Sequence, residues 1–237
     1  MRILKRKKQN GFLTYIGLTA VFILLVAVSA RAQAPKPSDI FGFEVGADYK
    51  LAGYNQMLTY YNKLEAASDR VKKIKLGKTV DGRTQILLFI SSNQNIQQLD
   101  KWRNISEKLA RARIGSAEAQ KLANEGKAIV WIDGGMHASE LAHGQMTPEL
   151  AYRVATEETP EMQHIRQNVI LLLMPVMNPD GLDMVKNWYD QNLGTPYENS
   201  RTPWLWQRYV GHDNNRDWFM GNMPETRNVM KILYQKW

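Results

Sequence analysis

Cysteine is missing from all 237 residues. That absence removes a disulfide framework, a thiol nucleophile, a thiolate metal site and a lipid-bearing cysteine behind a leader. An exported chain without cysteine suits a bacterial periplasm or a secreted product better than a small stapled domain. There is also no internal repeat, no low-complexity block and no interdomain linker. The composition does not resemble disordered chain, since 44% apolar and 10% aromatic residues suffice to bury one core and suit one domain.

Net charge is lacking too once the N-terminus is set aside. MRILKRKK is a basic head, FLTYIGLTAVFILLVAVSA an apolar stretch, and ARAQA a small-x-small pattern at Ala32 and Ala34. Together they predict a signal peptide over residues 1–34, cut after Ala34. Residues 1–34 hold Arg2, Lys5, Arg6, Lys7, Lys8 and Arg31 and no acidic residue, so removing these six takes the formal charge from +8 to +2. A chain of that charge offers no basic face for nucleic acid, and no nucleic-acid partner is expected. The apolar stretch is close to the roughly 20 residues that span a bilayer, so an uncleaved anchor is the alternative and the only route to a membrane partner. Either way the location is extracytoplasmic, periplasmic or secreted if the segment is removed.

Beyond residue 34, PKPSDIFGFEVGADYKL is a polar stretch punctuated by proline and glycine, and YNQMLTYYNKLEAAS carries apolar residues at helical spacing. VKKIKLGKTVDGRTQILLFISS predicts two strands around a turn at Asp81-Gly82. Helices are expected at about 95–112, 116–125 and around 146–167. Two apolar runs, AIVWID (128–133) and NVILLLMPVM (168–177), alternate with them. This pattern points to a sheet buried on both faces and to an α/β layer fold. Ligands of such folds bind at the loops off the carboxyl ends of the strands.

The chemistry-bearing residues gather at those ends. Gly134 and Gly135 follow the first run and permit backbone conformations that aim the next side chains into a cleft. His137 and Glu140 come next, at a spacing that puts an imidazole and a carboxylate on one side of a helical turn, a workable pair of zinc ligands. The plainer alternative is a loop histidine followed by a glutamate compensating a helix dipole. His143 reads as a helix-surface histidine rather than a third ligand. The second run ends in Asn178-Pro179-Asp180-Gly181, which reads as a turn. In GHDNNRDWF (211–219), Arg216 beside Asn215 offers a planar fork and an amide suited to gripping a carboxylate. Asp213 is placed to accept a hydrogen bond from a metal-bound histidine. A surface ion-pair cluster is the alternative for this loop.

In this order, GGMHASE, NPDG, DNNRDW and PETR (224–227), the last opening ETRNVMKILYQKW, resemble the zinc carboxypeptidases of the carboxypeptidase A family over roughly residues 40–237. The resemblance implies a carboxypeptidase-like α/β fold, a mixed, largely buried β-sheet flanked by helices. It implies zinc as cofactor, a peptide or protein C-terminus as partner, and hydrolysis of the C-terminal peptide bond of exported or periplasmic peptides. His137 and Glu140 match the family's first two zinc ligands, Asp213 the carboxylate supporting the zinc histidine, and Asn215 and Arg216 the pair that binds the substrate carboxylate. The family also uses an arginine in the preceding loop to polarise the scissile carbonyl; Arg201 and Arg208 compete for it, and spacing favours Arg201.

The family's third zinc ligand, a histidine on a strand after the PETR helix, and its general-base glutamate lie farther along than Trp237. Residues 35–237 are therefore expected to be the N-terminal portion of a catalytic domain, its C-terminal part missing. The competing expectations are a non-catalytic module that recognises peptide C-termini through Asn215 and Arg216, a degenerate truncated copy, and a membrane-anchored structural protein with coincidental motifs.

Overall fold

The computed structural model describes residues 33–207 and 210–237. The signal segment expected at 1–34 lies outside them apart from Gln33 and Ala34, and so does Arg208. The Asp81-Gly82 turn forms as its sequence demands. Gly82 adopts φ 84°, a left-handed conformation that suits glycine, its N–H donates to the Thr79 carbonyl at 3.0 Å, and the Thr79 N–H donates to the Arg83 carbonyl at 2.8 Å. The turn joins β1 (Val71–Lys78) to β2 (Thr84–Ile90), antiparallel from Val71↔Ile90 to Lys78↔Thr84.

The two apolar runs supply β3 (Ala128–Asp133) and β4 (Val169–Met174). The sheet order is β1-β2-β4-β3, with β4 antiparallel to β2 and parallel to β3. Between and after the strands run α1 (Ser38–Phe41), α2 (Tyr54–Ala67), α3 (Asn93–Gln97), α4 (Leu99–Arg111), α5 (Ser116–Glu125), α6 (Leu141–Gln145), α7 (Thr147–Thr156), α8 (Pro160–Asn168), α9 (Pro179–Asn192) and α10 (Pro224–Leu233). No described helix is long and apolar enough to cross a membrane.

Strand alternation divides the core in two. Ile86, Leu88 and Ile90 of β2 and Leu171 and Leu173 of β4 pack against Tyr54, Met57, Tyr61 and Leu64 of α2 and Ala151 and Val154 of α7. On the other face Leu87, Phe89, Ile170 and Leu172 meet Trp102 and Ile105 of α4 and Val229 and Ile232 of α10. Residues 34–237 form one compact unit.

Two expectations need correction. The first is that both apolar runs are buried on both faces. β4 is, but β3 is not: Val130 and Ile132 are 38% and 36% exposed. Parallel register puts them on the face of Leu171 and Leu173, where α2 and α7 cover the other strands, and among the described residues β3 pairs only with β4.

The second is the turn at 178–181, which is the start of the 14-residue α9. Asn178 caps it by accepting from the Gly181 N–H at 2.9 Å, and Pro179 sits in the first turn, where its missing N–H costs nothing. Asn, Pro, Asp and Gly favour turns, but they equally make a helix N-terminus.

Asp180, 7% exposed, ties that helix to the hairpin. It accepts from the Thr79 hydroxyl at 2.8 Å, the Asp81 N–H at 2.9 Å and the Arg83 guanidinium at 2.9 Å, while Asp183 takes a second Arg83 bond at 2.8 Å. Burial disfavours the Arg83 charge, but these two carboxylates outweigh it and raise its pKa.

Candidate metal and carboxylate site

The loops leaving β3 and β4 are zipped together. The Gly134 N–H donates to the Met174 carbonyl at 3.0 Å, the Met177 N–H to Gly134 at 2.8 Å and the Asn178 N–H to Gly135 at 3.0 Å. Close approach requires the glycines: a Cβ on Gly134 would stand 2.4 Å from the His143 carbonyl oxygen, and Gly135 has φ 59°. The chain then turns, the Glu140 N–H donating to the His137 carbonyl at 3.0 Å, before α6 begins at Leu141. The His137–Glu140 spacing is thus realised in a tight turn ahead of the helix rather than within it.

His137 stands between two carboxylates. Its Nδ1 is 3.1 Å from Glu140 Oε2, and its Nε2 is 3.4 Å from Asp213 Oδ2. Nε2 is buried and makes no hydrogen bond, the Asp213 contact being close but unaligned. This arrangement fits a metal held by His137 Nδ1 and Glu140, because ligation at Nδ1 leaves the proton on Nε2, facing Asp213. It supplies two ligating groups; among the described residues no three His, Asp or Glu side chains form a metal-holding group. His143 Nδ1 also lies 3.2 Å from Glu140 Oε2, but its side chain is 63% exposed on α6, as its sequence position implied.

Asp213 reaches His137 because the loop at 211–219 is pinned from beneath. Residues Asn214–Arg216 make a short 3-10 turn, capped by Asp213 Oδ1 accepting from the Arg216 N–H at 3.2 Å. Asn214 and Asp217 are fully buried. The Asn214 amide contacts Gln207 and Thr226. Asp217 accepts from His212 Nε2 at 2.8 Å, the Asn222 N–H at 3.0 Å and the Met223 N–H at 2.9 Å. Burial alone would raise the Asp217 pKa, but these donors outweigh it and hold the carboxyl below its usual value. The loop is therefore no surface ion-pair cluster. Neither buried residue stood out in sequence; the signal available was a run of short polar side chains between aromatic ones, the pattern of a loop that hydrogen-bonds to itself.

Arg201, Arg216, Asp213 and His212 line one cleft of about 870 Å³, together with Trp188 and Trp204. Arg201, Asn215 and Arg216 are exposed to solvent. Of the expected site residues, the structure brings His137, Glu140 and Asp213 into contact and places Arg201 and Arg216 on the cleft that Asp213 also lines, with Asn215 beside them in the 3-10 turn. His164 is on exposed α8, near Asn168, away from this group. The tryptophans on the cleft were not anticipated, although WLWQRY (204–209) in a polar, proline-bearing loop is an unusual concentration of aromatic residues.

A family model described as zinc carboxypeptidase matches residues 57–234. Mouse carboxypeptidase A4 is 21% identical over 183 residues, 75% of this chain and 36% of the mouse protein. Among solved structures, a metallo-carboxypeptidase from Burkholderia cenocepacia aligns with TM-score 0.51 and 18% identity over 78% of this chain and 38% of its own. Carboxypeptidase A from Helicoverpa armigera aligns with TM-score 0.51 and 16% identity over 94% of this chain and 50% of its own. These likenesses establish a shared fold, and the chain spans about a third of the length of the mouse relative.

Proposed function

The chain belongs to the zinc carboxypeptidase family, and from that premise we propose that it carries the metal-binding and carboxylate-recognition half of an exported peptidase that removes C-terminal residues from peptides. The observation that carries this reading is the position of His137 between Glu140 at 3.1 Å and Asp213 at 3.4 Å. One carboxylate would share the metal and the other would orient the imidazole. Zinc held by His137 and Glu140 would supply a Lewis acid for the peptide carbonyl and for water. Arg216 and Asn215 grip the substrate's free carboxylate, which fixes the last residue of the peptide and makes cleavage terminal. Arg201, on the same cleft, takes the role of stabilising the negative charge that develops on the scissile carbonyl oxygen. The basic and apolar head of the sequence supports export to the periplasm or beyond, with residues 1–34 as a cleavable signal.

Calorimetry tests the reading in two steps. The chain should bind zinc and lose that binding on His137→Ala. It should also prefer a peptide acid to the corresponding C-terminal amide, and Arg216→Ala should erase the preference. Zinc binding unchanged by His137→Ala, or equal binding of acid and amide, overturns it.

A further inference from the structure

Large apolar side chains left in water cluster beside the site. Leu193, Tyr197, Trp204 and Leu205 are all exposed, the last three at 66%, 57% and 65%, and all lie on the connection from α9 to the 3-10 turn. The segment bearing them is braced. Trp188 of α9 donates from Nε1 to the Ser200 carbonyl at 3.2 Å and its hydroxyl at 3.1 Å, and the Ser200 hydroxyl donates to the Tyr197 carbonyl at 2.6 Å. The Gly194 N–H donates to Glu198 at 2.9 Å and the Thr202 hydroxyl to the Trp204 carbonyl at 3.1 Å. Trp204 meets Trp188 edge-on, ring centres 5.5 Å apart and planes at 90°. The pair holds Trp204 in place while more than half of its surface stays in water.

Its location says what it faces. Trp188, Trp204 and Leu205 line the cleft of Arg201, Asp213 and Arg216. The same three residues line a second cleft of about 720 Å³ that continues along α9 past Met184 and Gln191 to Asp81, Arg83 and Asp180 and contains none of Arg201, Asp213 and Arg216. A peptide anchored by its carboxylate at Arg216, with its last amide at His137 and Glu140, has only its upstream residues left to run toward the second cleft. The two tryptophans lie where both clefts share a lining.

We propose that Trp204, held by Trp188 and flanked by Leu205, is a specificity-determining platform that selects peptides with a large apolar or aromatic side chain upstream of the cleaved bond. This rests on the carboxylate-recognition reading above, which sets the direction of the peptide. The occupant is an extended peptide with a free C-terminus: the arginines at one end of the cleft demand an anion, and the indole and leucine at the other reward apolar contact. Burying a phenyl ring against an indole and a leucine favours binding by about tenfold over a methyl group.

The test is calorimetry on the full chain with three peptides: one with phenylalanine at the third position from a free C-terminus, the alanine counterpart, and the C-terminal amide of the first. The phenylalanine peptide should bind about tenfold tighter than the alanine peptide, Trp204→Ala should bring the two within about twofold, and Trp204→Phe should keep most of the preference. Trp204 is 57% exposed, so the variants should fold, and circular dichroism verifies that. Equal binding of the phenylalanine and alanine peptides with the acid still preferred over the amide overturns the platform and leaves the site reading standing. A phenylalanine preference that survives Trp204→Ala also overturns it. Loss of the acid preference, with the Trp204-dependent preference intact, overturns the carboxylate-recognition reading and with it the peptide direction that makes Trp204 an upstream platform.

Discussion

Replacing Gly134 by alanine should unlatch the loop that carries His137. A Cβ there would stand 2.4 Å from the His143 carbonyl oxygen, 2.8 Å from the Pro175 carbonyl oxygen and 2.8 Å from Thr147 Cγ2. Two of the three are backbone atoms, which cannot rotate aside as a side chain can. Residue 134 cannot retreat either, because its N–H is bonded to Met174 at 3.0 Å and its carbonyl to Met177 at 2.8 Å. Relief therefore means overpacking strain of about 1–3 kcal/mol, or loss of one or both hydrogen bonds at about 0.5–1.5 kcal/mol each. We predict a loss of about 2–4 kcal/mol, a large part of the roughly 5–15 kcal/mol that holds a domain together. Urea unfolding followed by circular dichroism should show the midpoint falling by about 1–2 M, for a slope of about 2 kcal/mol per M. Gly115→Ala is the steric control: nothing lies within 4 Å of its Cβ and its φ is −70°, so only the weaker capping of α5 by alanine, at most about 1 kcal/mol, should move its midpoint. A Gly134→Ala midpoint indistinguishable from that of Gly115→Ala would refute the steric argument.

Three further outcomes are expected. Asp180→Ala strips an acceptor from the Thr79 hydroxyl, the Asp81 N–H and Arg83 at once and should cost about 2–4 kcal/mol in the same urea assay; a change below about 0.5 kcal/mol would mean that these contacts are not made in solution. The Asp217 carboxyl titrates below its ordinary 3.8 in the folded chain, so its stabilisation is complete above that pH and drains away as acid is added through the lowered value. Asp217→Asn should then be less stable at neutral pH and should flatten the decline below pH 4, and parallel curves for both proteins would contradict this. Asp213→Asn keeps the shape of the group facing His137 but removes its charge, and should weaken zinc affinity by about 10–100-fold, measured by competition with a colorimetric chelator. Unchanged affinity would detach Asp213 from the metal.

The parts legible in sequence were those set by local rules. The hairpin followed from Asp81-Gly82, β3 from AIVWID, and α2 from its periodicity, because turn chemistry and amphipathic spacing act within a few residues. What failed depended on distant partners. Val130 and Ile132 read as buried because they are apolar, but burial is decided by α2 and α7 stopping short of β3. NPDG read as a turn because capping and turn residues are the same residues, and only the continuation through Leu182 and Val185 tells them apart. At the site, the motif pairs single out His137, Glu140 and Asp213, side chains that the structure brings together although the first and last are 76 positions apart. Asn214 and Asp217, which hold the loop from beneath, were invisible because a buried asparagine and a surface one look alike in sequence.

The carboxylate of Asp180 also sets a clock on folding. The bonds it makes to Thr79 and Arg83 join residues 101 and 97 positions apart. A ribosome working at roughly 5–20 residues per second delivers Asp180 about 5–20 s after Arg83. Until then Arg83 lacks both Asp180 and Asp183, and the hairpin has no α9 to lean on. The β1–β2 hairpin thus gains this anchor only once α9 has been made, long after its own two strands have been joined.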